Sequence, residues 1–296
     1  MGNRITPYFS LEQDQRIRQI VQDCGRKVRN LAAEQLEVFQ KGPNDYVTNV
    51  DRELDRYLSN AFQSLFPEDG IVTEENAQSR DAFFRNVDRL WVIDPLDGTE
   101  DFIQGKAEYS VMVGLLQASR PIAGWIYAPV TDQMYFGSPQ SGLFKTTGDA
   151  LPQSLQPTQP PALSREFCPV MIGTRDQKNF GLALSQAIPG IQFSSLGSFG
   201  LKVMEVILGR AGLYLYLNGR VKVWDTAGPL ALAQTAGLVC CDLAGEPISF
   251  LPEALNLETL SHKQAILVGW PTYMEPLLPK IRQVATLALP DSHNPT

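Results

Sequence analysis

The stretch LWVIDPLDGTEDF, at residues 90–102, places two aspartates at a corner of the chain. Residues 90–93 are apolar and typical of a buried strand, so Asp94 is expected at the C-terminal end of that strand. Gly98 permits a tight turn, and the residues after it can open a helix whose exposed N–H groups attract an anion. Two carboxylates beside such a turn suit a divalent cation and a phosphate, because Mg²⁺ binds oxygen ligands. The alternative for an isolated DPLDG is a turn in which the aspartates cap backbone amides.

Three further segments place acidic residues beside apolar runs or helix starts. Glu74 and Glu75 follow a short apolar run in IVTEEN. Asp225 follows the strand-like RVKVW and precedes a helix, and Asp51 in YVTNVD lies where the second helix begins. Taken singly, these positions are also explained as solvated surface charge, as a helix N-cap and as a helix N-terminal acid.

Two amphipathic helices are predicted in the first 65 residues. The first opens at Ser10 with a capping box to Gln13, and Gly42 and Pro43 end it. One long helix is expected because helical spacing is kept by Ile17, Ile20, Val21, Cys24, Val28, Leu31, Ala32 and Phe39. The second helix has one apolar face made of Leu54, Leu58, Ala61, Phe62 and Leu65.

The rest of the chain predicts two lobes of different character. The runs LWVID, SVMVGLLQ, PIAGWIYAPV, DQMYFGSP and GLFKTT indicate a largely antiparallel sheet. Residues 147–164 are rich in Pro, Gln and Ser and mark the boundary, after which strand-like and helical runs alternate. We predict an α+β fold with helices over this sheet in residues 1–150, followed by an α/β lobe in residues 151–296. The second lobe is expected to supply Asp225 and the substrate contacts.

The composition excludes several classes of function. The chain has 25 Lys+Arg against 32 Asp+Glu, a net charge of -7, and it contains no basic cluster. It is therefore a poor match for a nucleic-acid polymer or an anionic membrane. Its four cysteines show no CxxC spacing, so we expect buried thiols in a reducing cytoplasm. The two histidines, His262 and His293, leave little scope for a histidine-based triad or metal site.

Taken in order, the acidic motifs resemble a known signature. Asp51, the pair Glu74-Glu75, DPLDGT, and a WD separated by eleven residues from Gly237 resemble the inositol monophosphatase superfamily of magnesium-dependent, lithium-sensitive phosphatases. The resemblance runs over residues 10–270, and it fails at Leu238, where the family has a second glycine. It implies the sugar-phosphatase fold, a layered αβαβα sandwich.

The resemblance also implies a site for two to three Mg²⁺ ions. The implied metal ligands are Glu74, Glu75, Asp94, the backbone carbonyl of Leu96, Asp97 and Asp225. In this arrangement Asp94 would bridge two ions, and Glu75 would serve a third, weaker ion.

Other residues would act on the substrate. Gly98 and Thr99 would offer backbone N–H groups to the phosphate. The Thr99 hydroxyl, oriented by Asp51, would take a proton from the attacking, metal-activated water together with Glu74.

Three segments favour one branch of the superfamily, the bacterial 3'(2'),5'-bisphosphate nucleotidases. They are the charged continuation after DGT at residues 100–102, the run PIAGWIYAPVTDQMY, and the run GSFGLKVMEV with its later WDTA. The implied reaction is hydrolysis of 3'(2')-phosphoadenosine 5'-phosphate to AMP and phosphate. The alternatives are an inositol monophosphatase that acts on inositol 1-phosphate or a related sugar phosphate, and a catalytically inactive regulatory homologue. The family also implies a homodimer.

Substrate contacts are harder to assign from the sequence. Ser198 and Lys202 are candidates for the non-scissile phosphate or the ribose, and Arg175 in GTRDQK is a candidate for a second phosphate. The alternative for Lys202 and Arg175 is a solvated surface charge. The insertion of Phe199 and Gly200 beside Ser198 alters this loop relative to the nucleotidases.

Overall fold

The computed structural model of the protein describes residues 8–31, 36–42, 45–85 and 87–288. The α-helices of this part are α1 (Leu11–Leu31), α2 (Asn49–Leu65), α3 (Thr99–Ile103), α4 (Thr174–Ala187), α5 (Phe199–Ile207), α6 (Val223–Thr235) and α7 (Pro271–Ala288). Short 3-10 helices span Ala77–Phe84 and Pro252–Ala254.

The strands of the first half are β1 (Val38–Gly42), β2 (Asp45–Thr48), β3 (Gly70–Thr73), β4 (Arg89–Asp97), β5 (Ser110–Gln117), β6 (Arg120–Ala128), β7 (Gln133–Ser138), β8 (Gly142–Thr147) and β9 (Gln153–Ser154). The strands of the second half are β10 (Cys168–Ile172), β11 (Ile191–Ser194), β12 (Leu213–Tyr216), β13 (Val239–Cys241), β14 (Leu255–Asn256), β15 (Ser261–His262) and β16 (Ile266–Gly269).

The chain divides into two compact units, and neither is a continuous segment. The first unit takes the chain up to residue 156 together with residues 197–201 and 222–236, and the second takes the remainder. The chain passes from the first unit to the second after Gln156, which lies inside the Pro/Gln/Ser-rich stretch at residues 147–164 that predicted a domain boundary. Asp225 belongs to the first unit, whereas the sequence analysis assigned it to the C-terminal lobe.

A seven-stranded sheet forms the framework of the first unit. Its order is β3-β4-β5-β6-β7-β8-β9, with β3 parallel to β4 and the later neighbours antiparallel. The prediction of a largely antiparallel sheet covered by helices is confirmed. Helices α1 and α2 contact each other and this sheet, and α6 contacts β5 and β6.

The first helix is shorter than predicted. The described part of α1 extends to Leu31, and Phe39 lies in β1, where it pairs with Val47 of β2. The helical spacing of Phe39 is therefore a coincidence, because its ring contacts the Arg52 guanidinium at 4.3 Å and does not continue the buried face of α1. The predicted helical position Ala32 lies outside the described residues.

The prediction that RVKVW, at residues 220–224, is a strand is also wrong for its last two residues. Helix α6 begins at Val223, with Lys222 as its N-cap and Trp224 in its first turn. Asp225 is the third helical residue and not the N-cap, and its Oδ2 accepts a hydrogen bond from the Lys222 N–H at 2.7 Å. This contact satisfies a donor that the start of the helix would otherwise leave unpaired, so the helix begins earlier than the apolar run indicates.

Glycines bring α6 against the sheet of the first unit. A Cβ at Gly114 of β5 would lie 2.6 Å from the Ala227 Cβ and would also overlap the backbone nitrogen of Gly228. A Cβ at Gly124 of β6 would lie 2.9 Å from the Gly228 Cα. Only residues without side chains allow the helix backbone to approach this closely, which explains why residues 222–236 pack into the first unit.

We expect Gly114→Ala to destabilise the protein by about 1–3 kcal/mol, the usual cost of forcing extra volume into a packed core. Gly173→Ala is the control for added volume, because no heavy atom lies within 4 Å of its added Cβ; Gly173 is the N-cap of α4, and its replacement by alanine should cost less than about 1 kcal/mol. Urea unfolding followed by circular dichroism measures both variants. Equal unfolding free energies for the two variants would contradict the close helix–sheet packing.

The second unit contains a five-stranded mixed sheet in the order β11-β10-β12-β16-β13. Strand β10 is parallel to β11 and β12, whereas β16 is antiparallel to β12 and β13. Helices α4 and α7 contact each other, and both contribute to the apolar core of this unit through residues such as Leu184 and Leu277. The predicted α/β character of this part of the chain is confirmed. Within the described residues, no helix combines the length and apolar character needed to cross a bilayer.

The buried His262 makes the second unit sensitive to acid. Its side chain is 1% exposed, and its ring packs edge-to-face on Phe250 at a centroid distance of 5.0 Å. Burial lowers the pKa of His262 from 6.5 to about 4. Between pH 6.5 and 4, His262 is protonated in the unfolded chain but neutral in the folded chain. The free energy of unfolding therefore falls as the pH falls from 6.5 towards 4.

We expect His262→Gln to reduce this acid sensitivity. Between pH 7.5 and 4.5 the wild type should lose about 2 kcal/mol more unfolding free energy than the variant, since one pKa unit corresponds to about 1.4 kcal/mol. Urea unfolding at several pH values measures the difference. The comparison uses the slope with pH, so a lower stability of the variant at neutral pH does not affect it. Parallel pH profiles would refute the prediction.

Candidate metal centre

The corner predicted from DPLDG contains a β-bulge. From Asp94 to Asp97 strand β4 advances by three residues, while the paired residues of β5 advance by two, from Met112 to Ser110. In a regular strand, residues three apart point to opposite faces, and a bulge changes this alternation. Asp94 and Asp97 accordingly line the same cavity of about 210 Å³.

Parallel pairing places Glu74 beside Asp94. Thr73, the last residue of β3, pairs with Ile93 of β4, and the Glu74 N–H donates to the Ile93 carbonyl at 3.2 Å. Because parallel strands end at the same edge of a sheet, the next residue of each strand is an acid at that edge. Asp225 reaches the same place from the first turn of α6.

Three carboxylates converge in the first unit. Glu74, Asp94 and Asp225 each offer an oxygen, and these oxygens lie within 4.8 Å of one another. Asp97 lines the cavity beside them. The donor set consists of carboxylate oxygens, which is what a hard cation such as Mg²⁺ prefers. The residues therefore fit a divalent metal ion.

The electrostatics of the centre favour a cation. Burial, followed by the charges of Glu74, Asp97 and Asp225, raises the pKa of Asp94 well above its usual value. Burial and then the charges of Asp97 and Glu74 raise the pKa of Asp225 to about 7. Such shifts are expected where carboxylates crowd together away from water, and a bound cation would reverse them.

Lys41 supplies one positive charge to the pair Glu74-Glu75. Its Nζ lies 2.7 Å from the Oε1 of Glu74 and 2.8 Å from the Oε1 of Glu75. Although burial acts to lower the pKa of Lys41, the two glutamates raise it above its ordinary value. Burial and the charge of Glu74 raise the pKa of Glu75 to about 7, against the opposing effect of Lys41.

Thr99 and Asp51 are in direct contact, as the family resemblance implies. The Thr99 hydroxyl lies 3.0 Å from the Asp51 Oδ1 and 3.0 Å from the Leu96 carbonyl oxygen. A hydroxyl has one proton, so it donates to only one of these acceptors at a time. The other oxygen of Asp51, Oδ2, accepts hydrogen bonds from the backbone N–H of Thr48 at 2.8 Å and its hydroxyl at 2.5 Å.

Gly98 occupies a conformation that suits glycine. Its φ is +95°, and a Cβ there would lie 2.9 Å from the Glu108 carbonyl oxygen. The short helix α3 begins directly after it at Thr99, as the sequence predicted. Gly98, Thr99 and Leu96 all line the cavity that contains the carboxylates.

The candidate substrate contacts occupy different environments. Ser198 is 0% exposed, and its hydroxyl lies 2.5 Å from the Asp97 Oδ2. Lys202 is 5% exposed, and its Nζ donates to the Leu196 carbonyl at 2.8 Å, so it is not the solvated helix charge considered above. Arg175 is exposed in the first turn of α4 in the second unit.

The sequence analysis missed Lys41, Thr48 and Ser110. Lys41 is a single lysine in the short exposed strand β1 and carries no periodic signal. Thr48 could have been found, because Thr48 and Asp51 have the spacing of a capping box with an acid in the third helical position. Ser110, whose hydroxyl lies 2.8 Å from that of Ser198, has no signal in the sequence.

An oxygen-only cluster at the ends of two β-strands and the start of a helix, with a threonine and an aspartate beside it, is the arrangement that a divalent-metal phosphatase requires. The sequence model of the inositol monophosphatase family matches residues 11–284, and the chain belongs to this family. The protein is accordingly a phosphoric monoester hydrolase.

Two characterised relatives cover most of the chain. It is similar to the 3'(2'),5'-bisphosphate nucleotidase CysQ of Haemophilus influenzae, with 28% identity over 251 residues that cover 84% of this chain and 90% of the relative. It is also similar to the inositol-1-monophosphatase of Bacillus subtilis, with 26% identity over 241 residues that cover 81% and 89%.

A solved structure of this family has the same fold. An IMPase from Thermotoga maritima matches with a TM-score of 0.76 and 21% identity, and the match covers 94% of this chain and 100% of that one. The likeness confirms the predicted fold class, an α+β layered sandwich of the sugar-phosphatase type.

We expect Mg²⁺ to stabilise the protein through Asp94. At a free Mg²⁺ concentration one hundred times the Kd, binding to the folded state should add about 2.7 kcal/mol. Asp94→Asn should abolish this gain and should raise the Tm of the metal-free protein, because it removes a buried charge while its amide oxygen can still accept the Leu96 N–H.

Thermal melts in EDTA and in MgCl₂ measure both effects. Asp176→Asn is the matched control, because Asp176 is a buried acid of the second unit that accepts the Leu217 N–H at 2.7 Å. This control should retain the full Mg²⁺ response. An Asp94→Asn protein with an unchanged Mg²⁺ response would show that the cluster is not the metal site.

Proposed function

We propose that this phosphatase hydrolyses 3'(2')-phosphoadenosine 5'-phosphate to AMP and phosphate. The observation that carries the proposal is the convergence of Glu74, Asp94 and Asp225 within 4.8 Å beside Thr99 and Asp51. The nucleotide specificity is supported by the run PIAGWIYAPVTDQMY and the charged residues after DGT. A relative named as a bisphosphate nucleotidase adds support at 28% identity.

Inositol 1-phosphate is the second candidate substrate. A relative named as an inositol-1-monophosphatase is almost as similar, at 26% identity. The carboxylates that hold the metal serve either substrate, because both reactions transfer a phosphoryl group from an alcohol to water. The distinction lies in the groups that hold the leaving alcohol.

The convergence of Glu74, Asp94 and Asp225 supports the set of metal ligands that the family resemblance implies. Two to three Mg²⁺ ions would polarise the phosphoryl oxygens and lower the pKa of water. Glu74, Asp94 and the Leu96 carbonyl would hold the first ion, and Asp94, Asp97 and Asp225 the second. Glu75 would hold a third, weaker ion, which has to compete with the Lys41 ammonium already 2.8 Å from its carboxylate.

The proton from the attacking water would pass to the chain's own residues. With the Leu96 carbonyl held as a metal ligand, the Thr99 hydroxyl would donate its hydrogen bond to the Asp51 Oδ1, so that a lone pair of the Thr99 oxygen can accept a hydrogen bond from the water. The two Thr48 donors hold the other oxygen of Asp51 and so fix the rotation of its carboxylate. The attacking water would give up one proton, which would pass to the Thr99 oxygen as the Thr99 proton moves to Asp51; the Glu74 carboxylate would be the other acceptor, as general base.

The phosphate would be held by backbone donors. Gly98 and Thr99 line the cavity beside the carboxylates, and their N–H groups would bind the phosphoryl oxygens. We propose Lys202 and Arg175 as contacts for the non-scissile phosphate, whereas Ser198, with its hydroxyl committed to Asp97, is the weakest of the proposed contacts. The homodimer, the lithium sensitivity and the cytoplasmic location stay predictions.

A substrate panel tests the proposal. Phosphate release is measured in MgCl₂ with 3'-phosphoadenosine 5'-phosphate and inositol 1-phosphate, each with and without LiCl. We expect kcat/KM for the nucleotide to exceed that for inositol phosphate by at least about tenfold, a difference of about 1.4 kcal/mol in transition-state stabilisation. A higher value for inositol phosphate would reverse the ranking of the two candidates.

Variants of the centre provide the control for this panel. Thr99→Ala should reduce kcat on both substrates by roughly a hundredfold or more, the typical contribution of general acid–base catalysis. Gln117→Ala is a distant control, because Gln117 contacts Asp88 at the opposite end of β5 from Ser110. A chain without phosphatase activity in which Thr99→Ala changes nothing would instead favour the inactive homologue.

A further inference from the structure

One carboxylate oxygen of Asp97, Oδ2, accepts two hydrogen bonds from buried groups. Its Oδ2 lies 2.5 Å from the Ser198 hydroxyl and accepts the Gly200 N–H at 3.1 Å. Ser198 is 0% exposed and belongs, with Gly200, to the segment 197–201 that packs into the first unit. Two donors on one carboxylate oxygen restrict the rotation of the carboxylate group.

The direction of these hydrogen bonds can be deduced. The Leu201 N–H can only donate, and it donates to the Ser198 Oγ at 3.0 Å. An Asp97 carboxylate that binds a metal carries no proton and can only accept, so in that state the single proton of the Ser198 hydroxyl points to Asp97. The Ser110 hydroxyl, 2.8 Å from that of Ser198, must therefore donate to Ser198. The result is a directed chain from Ser110 through Ser198 to Asp97.

We propose that Ser198, supported by Ser110, is a positioning residue that fixes Asp97 for metal binding. The inference rests on the proposed function, in which Asp97 is a ligand of the second Mg²⁺. Asp97 lines the cavity together with Asp94 and Asp225, and Ser198 contacts it from the protein interior. Donors that hold a ligating carboxylate in this way raise the affinity of a site by preorganising it.

The chain offers a matched buried serine outside the centre. Ser138 of β7 is also 0% exposed, its hydroxyl lies 2.9 Å from that of Ser141, and it accepts the Ser141 N–H at 3.2 Å. It therefore has the same burial and the same pair of hydroxyl and N–H partners as Ser198, but no metal-site carboxylate. A purely structural role predicts the same consequences for both serines.

The experiment measures Mg²⁺ binding to the full chain by isothermal titration calorimetry. Ser198→Ala should weaken Mg²⁺ binding by roughly tenfold to a hundredfold, the usual effect of removing a partner of a metal ligand. Ser138→Ala should leave the Kd within about twofold of the wild type while lowering the Tm by a comparable amount. Ser198→Thr, which keeps the hydroxyl, should restore most of the affinity.

Each outcome decides between the inferences. If the wild type binds Mg²⁺ and Ser198→Ala binds it equally well, the positioning role is overturned while the proposed function stands. If the wild type binds no Mg²⁺, the proposed function fails and the role fails with it. Should Ser198→Ala not fold, Ser110→Ala removes only the upstream donor, and we expect a smaller loss of Mg²⁺ affinity; no loss overturns the proposal.

Discussion

Mutual repulsion among buried carboxylates is the constraint that the first unit has to meet. Burial and neighbouring charges raise the pKa of Asp94 and Asp225 above their ordinary values. The chain tolerates the crowding because one oxygen of each acid accepts a backbone N–H, from Leu96 for Asp94 and from Lys222 for Asp225. Asp51 does the same with Thr48. These three carboxylates are thus anchored by nearby backbone groups, whereas the Glu74 carboxylate is held by the Lys41 ammonium.

Three separate features of the backbone bring the acids of the cluster together around Asp94. A bulge in β4 re-aims Asp97, parallel pairing of β3 with β4 sets Glu74 beside Asp94, and glycines let α6 deliver Asp225. Each device is rigid, because strand pairing and close backbone packing leave little freedom. The polar chain from Ser110 through Ser198 adds a fourth support from the interior.

Much of this was predictable, and the failures have physical reasons. The strands β5 and β8 were found in full, since apolar β-rich runs between turns give a strong signal. The acids Asp51 and Asp225 were predicted near helix starts. Each is the third residue of its helix and accepts the N–H of the N-cap residue with one oxygen, which leaves the other oxygen for the centre. The hairpin of β1 and β2 was not predicted, because a short exposed strand has no buried face and so shows no alternation of apolar and polar residues. Ser110 and Lys41 act through distant partners that no local spacing reveals.

The division of the chain has a consequence for its synthesis. The first unit closes only when residues 222–236 return to it, because α6 carries Asp225 and covers the glycines of β5 and β6. A ribosome must therefore make most of the polypeptide before the acidic cluster can assemble, and until then the glycine-lined face of the sheet has no helix over it. For the same reason neither half of the gene encodes the whole cluster by itself, and exchange of one half alone would separate Asp225 from Glu74 and Asp94.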